Sequence, residues 1–204
     1  MNFSKYPFFI CLGLLPFLGG CISLLPEASS PPREFTLDFL GGEKKLVAPS
    51  KDLVIKIDKT IAAAPLQAQR ILLLSKEAGL IESHYLADVV WHEPLASLVQ
   101  CRLIEAIRNG GMFKGVGYSQ EAFKPDLLYL PALHHFEIEK GAGTYKAVVS
   151  LSLREVSYQD HSLQRERVFY DERPVSESLE AFVTGLNQSF LKILIEAVNW
   201  IEKG

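Results

Sequence analysis

The chain has 204 residues, 48% hydrophobic and 22% charged, the proportions of a globular protein and not of a disordered one. With 21 Lys and Arg against 24 Asp and Glu, the formal net charge is -3. No Lys/Arg cluster interrupts that balance, which argues against a nucleic-acid partner.

The chain opens with Lys5, an apolar run over residues 6–17, and then Leu18-Gly19-Gly20-Cys21. The run is too short to span a bilayer, and a positive residue ahead of it is the pattern of a secretory signal. Leu18-Gly19-Gly20-Cys21 resembles the lipobox of bacterial lipoproteins. There an aliphatic and two small residues admit the backbone to a peptidase, and a cysteine sulfur takes the lipid. The resemblance implies that residues 1–20 are a signal peptide that is removed, leaving 184 residues acylated on Cys21. Ile22, where an aspartate would mark inner-membrane retention, implies the outer membrane. Of the three cysteines, Cys11 would leave with the signal, and Cys101 would have no partner for an intramolecular disulfide. Residues 21–34 carry Pro26, Ser29, Ser30, Pro31 and Pro32 and read as a tether. Extended at about 3.3 Å per residue, residues 22–34 reach about 40 Å. Beyond Cys21 no apolar run is long and uninterrupted enough for a membrane span.

The folded domain is expected over residues 35–204. Alternation predicts strands at 35–39, closed by Gly41-Gly42, and at 53–57. A strand is expected at 69–74, where the unbroken apolar run from Ile71 to Leu74 suggests burial on both faces, and a short one at 81–85. Trp91-His92-Glu93-Pro94-Leu95 then opens a helix that runs to about residue 108, with Pro94 suited to the first turn. Leu95, Leu98, Val99, Leu103, Ala106 and Ile107 share one face of it. Arg102 interrupts that stripe, its stem packing while its head finds water or a carboxylate. Ile104 points to the opposite side, and Gly110-Gly111 stops the helix. A short strand is expected at 113–118. Two long strands, 126–139 and 144–156, meet across Lys140-Gly141-Ala142-Gly143, and another follows at 163–170. Ser176 is the expected cap of a last helix reaching about residue 203, with Leu179, Phe182, Val183, Leu186, Phe190, Leu194, Ala197 and Ile201 on its core stripe.

Residue types that carry chemistry are present, but not in patterns that assemble a site. His134-His135 lie on a strand, where neighbours point to opposite faces and cannot share an ion. Glu137 and Glu139 share a face beside a glycine turn and read as a solvated edge. Cys101 sits at buried helical spacing and reads as a small core residue. Gly115-Val116-Gly117 precedes no helix that could hold a phosphate. No G-x-S-x-G, Walker A or H-E-x-x-H sequence occurs. The expectation is a protein that is not an enzyme, with no catalytic, cofactor-binding or metal residues.

The order of features resembles the auxiliary lipoproteins of ABC-type transporters, the family that includes the paraquat-inducible intermembrane transport lipoprotein. The matching features are the lipobox at Cys21, Phe35 to Leu37, Val54 to Ile57, and Trp91-x-Glu93-Pro94-Leu95 with Leu98. They continue with Asp126, the strand reaching Phe136, the strand from Ala147 to Leu153, and a closing Trp200-Ile201. The chain departs from the pattern at Ala62-Ala63-Ala64-Pro65. The resemblance implies an α/β single domain, a mixed and largely antiparallel sheet with two main helices against it, anticodon-binding-like. It also implies a lipid-anchored periplasmic adaptor, able to self-associate, that serves a mammalian-cell-entry (MCE) protein and an ABC permease and ATPase in phospholipid transport. A small lipid-binding carrier and an outer-membrane assembly lipoprotein are the alternatives.

Overall fold

The structure is a computed structural model that describes residues 31–38 and 49–204. Cys21, the signal segment, most of the tether, Phe39 and Gly41-Gly42 lie outside the described residues.

One strand organises the sheet. β1 is Arg33–Phe35, β2 Lys51–Ile57, β3 Ile61–Ala62, β4 Arg70–Glu77, β5 Leu80–Trp91 and β6 Phe113–Tyr118. β7 is Leu127–Gly141, β8 Thr144–Ser157 and β9 Leu163–Val175. One edge of β7 pairs antiparallel with β8 along its whole length, and β8 pairs likewise with β9. The other edge of β7 takes β2, β3 and β4 in succession, all parallel to it. The chain therefore travels one way along a single edge, interrupted by the one-turn helix α1 (Ala64–Gln67). β6 extends the sheet beyond β2, and β5 and then β1 extend it beyond β4.

Five of the eight described pairings are parallel, but the three antiparallel ones include the longest ladders, so most paired residues are antiparallel. Ala142 and Gly143, both at positive φ, form the tight turn between β7 and β8. β5 and β9 continue well past the predicted 81–85 and 163–170. β5 passes through Asp88 at φ 54°, an irregularity that alternation alone does not signal.

Helices α2 (Leu95–Gly110) and α3 (Leu179–Lys203) cover one face of the sheet. The predicted stripe of α3 is buried from Phe182 to Ile201, against Ala147, Val149, Leu151 and Leu153 of β8. A Cβ on Gly185 would lie 2.4 Å from Val175 Cγ1 and 3.1 Å from Ala147 Cβ, so a glycine is what lets α3 approach so closely. α3 is long and apolar enough to cross a membrane by composition, but that apolar face is engaged by the sheet. Its cap is Ser178, whose Oγ accepts the Ala181 N–H at 3.1 Å, and not Ser176, which lies in the preceding turn. Gly111, at φ 68°, closes α2 with its N–H on the Arg108 carbonyl. Ile104 is fully buried instead of facing away, because the core wraps more of α2 than its one-sided stripe indicates. Arg102 behaves as expected: it holds Glu105 at 2.7 Å and donates to the Leu37 carbonyl at 3.0 Å.

Candidate functional site

Neither long helix covers the second face of the sheet, and the histidines stand there. Inward positions on β7 are identified by their contacts: Phe136 packs on Trp91 and Phe190, with ring centroids 5.7 and 6.0 Å apart, and Tyr129 packs on Trp200. Residues 133 and 136 are both buried, with two residues between them where strict alternation allows one. The register against β8 shifts at that point, so the strand contains a β-bulge. As a result His134 and His135 both face outward, which corrects the expectation of opposite faces. His134 Nε2 lies 2.8 Å from Ser152 Oγ, and His135 Nδ1 lies 2.6 Å from Glu137 Oε1. The bulge leaves a sequence trace. Inward apolar positions are odd through Tyr129 and Leu133 and even from Phe136 and Ile138, a change of parity within one strand.

Glu137 is 2% exposed, so it is not part of a solvated edge. Burial pushes its carboxyl above the ordinary range, against the opposing pull of His135 and of the Phe136 N–H. Across β8, Ser150 is buried and pairs with Tyr170 of β9, which is exposed and donates to Glu172 at 2.7 Å. That bond to a carboxylate pushes the Tyr170 hydroxyl up to about 12. The row below is apolar at its ends: Ile61 and Val168, each about 60% exposed, flank Ala132 and Ser152. The face thus has a polar centre and aliphatic margins.

A Ser–His contact and a His–Glu contact invite comparison with a nucleophile relay. Here they are separate pairs, because the carboxylate orients His135 while His134 holds the serine. Ser152 is 4% exposed in mid-strand, with its backbone committed to the ladders on both sides. Among the described residues no three His, Cys, Asp or Glu side chains converge at metal-ligand spacing. Cys101 is half-buried. Gly115 and Gly117 serve packing: a Cβ at the first would press on Val54, and at the second would meet Phe123 and Glu121. The arrangement suits recognition by shape and hydrogen bonding.

The face behind is closed. Leu186, Phe190, Ile193, Leu194 and Ala197 meet Ala147, Val149 and Leu151 with no exposure to speak of, so side chains fill the space between sheet and helix.

No family model matches the chain, and no curated protein matches it. Its fold is found in solved structures. A Xanthomonas campestris protein of the family designated DUF330 superposes with a TM-score of 0.71 at 17% identity, covering 83% of this chain and 95% of that one. An uncharacterized protein gives 0.63 at 12% identity, covering 84% and 99%. A hypothetical protein from Chlamydia trachomatis gives 0.53 at 6% identity, covering 74% and 96%. At these identities the likeness concerns the fold.

Proposed function

We propose that this chain is a non-catalytic adaptor, anchored through Cys21 to the inner leaflet of the outer membrane, that serves an ABC/MCE-type system moving phospholipid between membranes. The observation that carries an adaptor is the open sheet face, with aliphatic margins exposed beside an interior already filled. Such a surface gains by meeting a partner, whereas the filled interior offers a lipid no chamber. The lipobox and the Trp91-x-Glu93-Pro94-Leu95 resemblance supply the membrane and the transporter. The fold shared with the DUF330 protein extends over the same domain.

The test is in-cell crosslinking of the full-length lipidated protein, followed by identification of what is captured. An MCE protein among the partners, lost in Cys21→Ala, is the expected result. Capture of other outer-membrane machinery instead would favour an assembly lipoprotein and end the transport reading. A hydrolytic activity that disappears in His134→Ala would end the non-catalytic one.

A further inference from the structure

A second feature lies at the start of α2, bordered on one side by Ile61 at the margin of the open face. The loop 58–60 that leaves β2 runs under the first turns of α2, where Gln100 Nε2 donates to the Ile57 carbonyl at 3.2 Å. Between loop and helix is a cleft of about 450 Å³ lined by Asp58, Lys59, Thr60, Pro94, Ala96 and Ser97 among others.

Three observations on this cleft point to a ligand. Thr60 is 3% exposed, and its hydroxyl has no hydrogen-bond partner among the described residues. A buried hydroxyl without a partner is costly, so a group that supplied one would be held there. In the alternation of this segment Ile61 faces out and Ala62 in, which puts Thr60 inward beneath α2. Second, α2 starts uncapped. Pro94 offers no side-chain acceptor, and its carbonyl takes the Ser97 and Leu98 N–H groups, leaving those of Leu95 and Ala96 without an acceptor among the described residues. A helix start of 16 residues with free N–H groups favours an anion. Third, neither Lys59 nor Asp58 makes a side-chain ion pair among the described residues, so the cleft presents one cation and one anion.

We propose that this cleft binds a phosphate ester that carries its own ammonium group, with the phosphoryl oxygens on the α2 N-terminus, Thr60 Oγ1 and Lys59, and the ammonium on Asp58. The helix start and Thr60 together supply the donors a tetrahedral anion needs. Asp58 would repel a bare anion and attract a zwitterion, and the cleft is larger than a phosphate alone requires. The ligand class is therefore a phosphoethanolamine-like group, free or as the head of a phospholipid.

The test uses the full-length chain in detergent, titrated with inorganic phosphate, O-phosphoethanolamine and ethanolamine by calorimetry, with the Leu95 and Ala96 amide resonances followed by NMR. O-Phosphoethanolamine is expected to bind more tightly than phosphate and to shift both amides. Thr60→Val, which keeps the shape and removes the hydroxyl, is expected to weaken binding about tenfold while Tm holds or rises. Asp58→Asn is expected to reverse the preference toward phosphate. Phosphatidylethanolamine doped into the micelles identifies the lipid source if it displaces the soluble probe and a free metabolite if it does not; the site stands in both cases. Absence of heat and of amide shifts with all three probes overturns the proposal. Binding that is unchanged in Thr60→Val overturns it as well.

Discussion

Asp171 shows how single charges are placed in this protein. On β9 it points toward α3, nearly buried, and holds Lys192 Nζ at 2.6 Å and Arg173 Nη2 at 2.8 Å. Burial works to raise its pKa, but hydrogen bonds from Lys192, Arg173 and Ser189 outweigh it and hold the carboxyl below its ordinary 3.8. A carboxyl with a depressed folded-state pKa stabilises the fold above its ordinary value, and that contribution is lost as pH falls through the folded one. Asp171→Asn is therefore expected to cost about 1.5 kcal/mol near neutral pH. The gap to wild type should close as pH falls below 3.8 toward the depressed value, as followed by urea unfolding across pH. A gap that persists unchanged at the acid end would mean the carboxylate's charge is not what stabilises. Glu137 has the opposite sign. Its raised pKa makes the ionised form the costly one, so its contribution declines as pH rises past its ordinary 4.5. The two carboxyls are thus shifted in opposite directions: both are buried, but at Asp171 the bonds from Lys192, Arg173 and Ser189 outweigh burial, and at Glu137 burial outweighs His135.

At the scale of elements, α3 depends on a cap and on one packing stripe. Ser178→Ala is expected to lower stability by about 1 kcal/mol, while Ser176→Ala should have little effect, since only Ser178 accepts an N–H of the first turn. Denaturant midpoints of the two variants decide this, and equal effects would contradict the assigned cap. Phe190 sits where α3 meets Phe136, fully buried, and Phe190→Ala should cost about 3–5 kcal/mol. The elements were largely legible in the sequence. The predicted 113–118 strand coincides with β6, and the glycine hairpin lies where β7 turns into β8. Periodicity does not choose between Ser176 and Ser178, because two serines two residues apart are equally good acceptors and only the direction of chain entry selects Ser178.

For the whole molecule, the question is what the uncovered face is for. Ile61 and Val168 are exposed, so Ile61→Lys with Val168→Glu should leave Tm nearly unchanged while reducing in-cell partner capture severalfold. Capture at wild-type level in the double variant would remove this face as the contact surface. Ile61 also borders the cleft at Thr60, so Val168→Glu alone is the variant that tests this face without touching that cleft.

Local periodicity by itself determined the two long helices, the long hairpin, the core stripe of α3 and the turn glycines, because each depends on residues adjacent in the chain. The lipobox reading of Cys21 rests on sequence alone, since that residue lies outside the described part. The tertiary structure decided that β2, β3 and β4 share one edge of β7, that a bulge puts His134 and His135 on one face, and that Glu137 is buried. It also decided that Thr60 lies under the start of α2. These properties depend on which distant segments meet. A one-residue insertion reverses the facing of a strand, and burial depends on neighbours that no local window contains.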